Sequence, residues 1–246
     1  MATLSEQGAM LEELRPLVAL LAPETAREDL RRLIVQDNAL HRSSLVSRRK
    51  LFRKLSNRYF RVQTPVATAR FVKAVQRTQD PAQVALLAYA MLLWNDALSL
   101  TLGCEWLAPK LGGKPFWAVT GDVEKELEFL AQRFPKMQAW GQATRKTIAQ
   151  HYLSLLRDCG YATGSARKTL RRPFVSPDVV MFGVQLIMGG GERATQVPGH
   201  PLFVAMGLSL QDTLAALTDL HSQGRIHFAS QGRLVQLDLC PEDGLQ

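Results

Sequence analysis

Apolar residues recur at helical spacing through the first two thirds of the chain, and β-branched alternation becomes prominent only near its end. That pattern predicts a mainly α-helical fold with small β-hairpin elements. A first amphipathic segment covers residues 6–21, and the turn at Pro23, Glu24 and Thr25 leads to a second at 26–36. Asp37, Asn38, His41 and Arg42 break the apolar spacing. Ser43 or Ser44 then offers an N-cap for a third helix over 45–60. Thr64-Pro65 opens a helical segment to Val75, and Asp80-Pro81 opens a strongly apolar one to about Leu102. The stretch Gly112-Gly113-Lys114-Pro115 is expected to be a loop, dividing an N-terminal helical domain, 1–111, from a C-terminal one, 112–246.

Beyond the loop, Asp122 is placed to cap a helix ending near Arg133, and Pro135 opens a short turn. Thr144 is placed to cap a helix over 145–158 that Gly160 closes. The basic, glycine-containing stretch 161–173 suits a loop or a β-wing. Ser209 caps a helix to about His221, and two alternating runs around Gln231-Gly232 predict a hairpin over 225–239 that includes Arg233. Helix-turn-helix and winged-helix-like modules are therefore expected in both halves.

Charge sharpens this picture. The 246 residues carry a formal net charge of +8, which favours a polyanionic partner. Between Asp37 and Asp80 there is no acidic residue, yet Arg42, Arg48, Arg49, Lys50, Arg53, Lys54, Arg58, Arg61, Arg70, Lys73 and Arg77 supply eleven positive charges. On a helix starting at Leu45, the residues Leu45, Leu51, Phe52, Leu55 and Tyr59 gather on one side. Arg49, Lys50, Arg53, Lys54, Arg58 and Arg61 spread over the other, with Arg48 alone on the apolar side. Ordinary solvated faces mix signs, and like charges three or four residues apart repel. A helix with one packed and one cationic face suits a duplex groove. A second cluster sets Arg145, Lys146, Arg157, Arg167, Lys168, Arg171 and Arg172 against Asp158 alone. There Ile148, Tyr152, Leu155 and Leu156 form the packed side. Lys146, Thr147 and Gln150 point outward near the helix N-terminus, where recognition helices meet bases, and the arginine-rich wing would reach phosphates.

Other chemistries find little support. His41, His151, His200, His221 and His227 have neither zinc-motif nor nucleophile–base spacing. Gly189-Gly190-Gly191 lacks the Lys-Ser/Thr of a phosphate loop and is expected to be a turn. Glu124, Glu126 and Glu128 are explained by the acidic bias of a helix N-terminal half. No catalytic residue, cofactor or metal is expected. Cys104, Cys159 and Cys240 lie far apart and odd in number, which favours a reducing, cytoplasmic setting. The most apolar run, 84–94, is interrupted by Asn95 and Asp96 before the roughly 20 residues a bilayer span needs, so a buried helix is expected rather than an anchor.

Three stretches in this order carry a family resemblance. They are Leu33-Ile-Val-Gln-Asp-Asn-Ala-Leu40, followed by a Ser-rich and then Arg-rich helix to Arg58; the apolar segment 82–102; and Trp140-Gly-Gln-Ala-Thr-Arg-Lys-Thr147 leading to Leu-Leu-Arg-Asp-Cys-Gly-Tyr161. The sequence resembles the BrxA family of BREX phage-defence systems. The resemblance implies an all-helical DNA-binding protein with helix-turn-helix or winged modules, and association with other BREX components. Residues and resemblance together predict a non-enzymatic accessory protein that binds double-stranded DNA. The DNA-binding residues expected are Ser43, Ser44, Arg49, Lys50, Arg53, Lys54, Arg58, Arg61, Arg145, Lys146, Thr147, Gln150, Arg167, Lys168, Arg171 and Arg172. An RNA-binding module, or a scaffold docking an acidic partner of the defence complex, is the alternative.

Overall fold

The computed structural model describes residues 8–61, 65–113, 115–231 and 234–240. Glu6, Thr64, Lys114, Gly232 and Arg233 of the sequence reading lie outside them. The chain opens with α1 (Leu11–Val18) and α2 (Arg27–Arg31), which runs into a π-helical turn at Arg32–Gln36. The third helix, α3 (Leu45–Tyr59), is capped by Ser44, whose hydroxyl accepts the Ser47 amide at 3.1 Å. Of its expected packed side, Leu51, Leu55 and Tyr59 are buried and Phe52 half-buried, whereas Leu45 is exposed.

α4 (Pro65–Arg77) precedes α5 (Pro81–Asn95), whose residues from Val84 to Leu93 are all buried. A helix apolar on every side belongs at the centre of a layer, and α5 contacts α3, α4, α11 (Pro177–Gly189) and α12 (Pro201–Ala205). The apolar segment expected to run to Leu102 breaks at Asp96. Its carboxylate accepts the Ser99 amide (3.2 Å) and hydroxyl (2.6 Å), starting α6 (Ala97–Leu102). From Ala97 the helical path bends 112° away from α5 and continues through a π-turn into α7 (Ala108–Leu111). Among the described residues no single helix is long and apolar enough to cross a membrane.

The two-residue strand β1 (Trp117–Ala118) follows, then α8 (Thr120–Arg133), α9 (Pro135–Gln138) and α10 (Gln142–Asp158). Asp122 does not cap α8. It lies inside the first turn and reaches back to accept the Val119 amide at 2.8 Å. Thr144 likewise lies within α10, whose N-cap is Gly141. Gly160, at φ +81°, closes α10 in the left-handed conformation that glycine adopts most readily. β2 (Ala162–Thr163) and β3 (Lys168–Leu170) come next, and the antiparallel sheet has the order β1–β3–β2. After α11 and α12, the Ser209-capped α13 (Leu210–Ser222) leads to the antiparallel hairpin β4 (Ile226–Gln231) and β5 (Leu234–Leu239). The protein is thus mainly helical with small antiparallel sheets.

Candidate nucleic-acid interface

The outward side of α3 keeps most of its expected cations. Arg49, Lys50 and Arg53 are exposed and Lys54 half-buried, while Ser43 and Ser44 are exposed just ahead of the helix. No acidic residue lies on α3 itself. The sequence reading did not include Arg27 of α2, whose guanidinium lies 5.6 Å from the Phe52 ring centre and extends the cationic surface over a half-buried aromatic.

The edges of the helix behave differently. Arg58, expected to face outward, is only 1% exposed. It donates to the Gly8 carbonyl, and its own carbonyl accepts from the Asn95 amide group at 2.7 Å. The segment at residues 8–9 covers the helix end, a contact no helical periodicity contains. Arg58 is therefore a structural arginine. Arg61 is half-buried and its Nε donates to the Asn57 carbonyl at 3.0 Å. Arg48 donates to the Val35 carbonyl at 3.1 Å, in keeping with its place on the packed side. Arg42 pairs with Glu13 at 2.6 Å.

The second cluster also divides. Ile148, Tyr152, Leu155 and Leu156 bury one side of α10 against the core, leaving Lys146, Thr147 and Gln150 exposed. Thr147 spends its hydroxyl proton on the Ala143 carbonyl at 2.9 Å. Arg145, expected outward, turns back instead. Its Nη1 donates to the Trp140 carbonyl at 2.5 Å and its Nε lies 3.8 Å from Glu128.

In the three-stranded sheet, strand alternation decides which cations are available. Trp117 pairs with Thr169, which pairs with Thr163, and the neighbouring pairs Ala118–Lys168 and Ala162–Leu170 face inward and are buried. Lys168 is accordingly 8% exposed, with Nζ donating to the Ser165 carbonyl at 2.6 Å. Burial, together with nearby Arg157, pulls its pKa below the ordinary lysine value. It is withdrawn from any phosphate. Arg167 stays exposed with its guanidinium 5.9 Å from the Trp117 ring centre. Arg171 is exposed but donates through Nε to the Gly160 carbonyl at 3.1 Å. Arg172 pairs with Asp212 at 2.7 Å.

Trp117 was missed by sequence reading because a two-residue strand has no periodicity to detect. It is 61% exposed beside Arg167, the one large aromatic on this sheet's outer row. The outward set is therefore Arg27, Arg49, Lys50, Arg53 and Lys54 around α3, and Lys146, Thr147, Gln150, Arg167 and Arg171 around α10 and its sheet.

Comparison with solved structures finds a similar fold in a crystal structure of an uncharacterized protein from Magnetospirillum magneticum. The TM-score is 0.66 at 18% identity, covering 85% of this chain and 98% of that one. No curated protein matches. The family described as BrxA matches residues 1–182, which contain all three stretches that carry the resemblance and both cationic clusters. The chain belongs to the BrxA family of BREX phage-defence systems.

Proposed function

We propose that the protein is a non-enzymatic accessory component of BREX defence that binds double-stranded DNA through α3 and through α10 with its adjoining sheet. The observation that carries this reading is the outward face of α3, where Arg49, Lys50 and Arg53 are exposed on a helix without a carboxylate. Neutralising phosphates releases condensed counterions, and a protruding helix fits the major groove. The order α8, α9, α10, β2, β3, with β1 ahead of α8 and hydrogen-bonded to β3, supports a winged-helix reading of the second surface. In that reading Lys146, Thr147 and Gln150 sit at the groove end of the recognition helix, and Arg167 sits on the wing. The mechanism requires no catalytic group and no cofactor.

A salt series tests it. With about six phosphates neutralised, the slope of log K against log salt is about −5, so raising salt from ~50 to ~200 mM weakens binding about a thousandfold. The triple variant Arg49→Glu, Lys50→Glu, Arg53→Glu should abolish binding with an unchanged helical circular-dichroism spectrum. A flat salt series, or full binding by the folded triple variant, overturns the proposal. Preference for structured RNA in competition, or co-purification of an acidic partner without any nucleic-acid shift, would favour the alternatives.

A further inference from the structure

The acid-free run does not end with α3. Its last three cations, Arg70, Lys73 and Arg77, lie on α4 at spacings of three and four and so share one side of that helix. That side borders a cleft of about 180 Å³ between α4 and α11, to which Arg225, just before β4, adds a fourth cation. The one carboxylate in the lining is Asp178, which pairs with Arg225 at 2.6 Å. Four cations from two segments thus line the cleft beside one lining carboxylate.

Arg70 is held in place. Its Nη1 donates to the Gln185 carbonyl of α11, and its Nε is buried with no hydrogen-bond partner among the described residues. It passes over Gly189 at the end of α11, where a Cβ would overlap Nη1. Partial burial lowers its pKa from the usual arginine value. A buried guanidinium donor without an acceptor is costly, and clustered cations gain most from a shared anion.

We propose that this cleft binds one phosphate-type oxyanion, either the free ion or a phosphate group of a nucleic-acid backbone. Its volume lies below the ~300 Å³ at which organic-ligand pockets begin, so it suits the tetrahedral anion rather than a base or a sugar. Arg70, fixed by its bond to the Gln185 carbonyl, supplies a positioned guanidinium, and Lys73 supplies a mobile point charge. The backbone source rests on the DNA-binding reading; the free-ion source does not.

The test titrates inorganic phosphate into the full chain by calorimetry at fixed ionic strength, alongside duplex binding over a salt series. The proteins are the wild type, Lys73→Gln and Gly189→Ala, with folding checked by circular dichroism. Saturable phosphate binding that both variants weaken at least tenfold establishes a free-ion site. If phosphate gives no saturation, a backbone site appears as a duplex salt slope reduced by about one in Lys73→Gln. Phosphate binding in a chain that ignores duplex leaves the cleft standing and removes the DNA reading. Phosphate binding unaffected by the variants overturns the proposal. So does the absence of both phosphate binding and any slope change in folded Lys73→Gln.

Discussion

Arg58 and Asp158 grip one peptide group, the Gly8–Ala9 link: the Arg58 guanidinium donates to the Gly8 carbonyl, and the Asp158 carboxylate accepts from the Ala9 amide at 3.1 Å. The ends of α3 and α10, the two basic helices, are thereby tied to one short segment. Gly8 permits the approach, because a Cβ there would fall 2.6 Å from Asp158 Oδ2. Tyr59 completes the joint by donating its hydroxyl to the Ala9 carbonyl at 2.6 Å, and burial raises its phenol pKa above the ordinary range.

Removing Arg58 should therefore act on stability. Leaving the Gly8 carbonyl without its buried donor costs about 1–3 kcal/mol, and the space left by a fully buried side chain adds to it, so Arg58→Ala should unfold at a markedly lower denaturant concentration. At temperatures where it remains folded, it should keep its duplex affinity. A variant with wild-type stability and lost DNA binding would return Arg58 to the interface.

His200 gives a pH-dependent prediction. It caps α12 by accepting the Leu202 amide on Nδ1 at 3.1 Å, an arrangement that requires the neutral ring. Burial lowers its pKa, with Glu192 acting weakly in the opposite direction. Because the folded pKa lies below the unfolded value of about 6.5, the cap contributes fully above that pH. Its contribution is lost as the pH falls through the folded pKa. The urea midpoint of the wild type should drop between pH 7.5 and 5.5. In His200→Asn, which keeps an acceptor that does not titrate, the drop should be smaller. Equal drops would remove His200 as the cause.

What the sequence made legible is what local rules govern. The Ser44 and Ser209 caps, the buried side of α10 and the β4–β5 hairpin follow from side chains within a few residues of one another, and the structure has them as expected. Arg58, Arg145 and Lys168 failed for a shared reason: their partners or cover come from elsewhere in the fold or from a tight local turn, which no helical wheel contains. Asn95 and Asp96 are visible as an interruption of the apolar run, but apolar residues resume at Ala97, which hid that the helix itself ends there. β1 is too short to show alternation, and with it Trp117 and the sheet order were hidden.

The bend after α5 depends on Asp96, which is buried and holds the first turn of α6 by two hydrogen bonds from Ser99. Asp96→Ala should cost about 1–2 kcal/mol, from the lost cap and a buried amide left without an acceptor. Asp96→Asn, retaining one acceptor oxygen, should recover most of it. Thermal unfolding of the two variants measures the difference. Equal melting temperatures for Asp96→Ala and wild type would show that the bend is held by packing alone.

The sheet beside α10 offers the most direct test of the proposed duplex contact. Trp117 is exposed, and Arg167 is within 6 Å of its ring centre, whereas Trp106 is buried and Trp94 and Trp140 are half-buried. If the wing meets the duplex, adding DNA should change tryptophan emission, and Trp117→Phe should remove most of that change. Arg167→Ala should weaken binding a few-fold and make the salt slope shallower by about one, as expected for one lost phosphate contact. Ser44→Ala is a useful contrast, because it loosens the N-terminus of α3, at a cost of about 1 kcal/mol, without touching the wing. Emission unchanged at saturating duplex, together with a wild-type salt slope in Arg167→Ala, would place the DNA on α3 and away from the sheet.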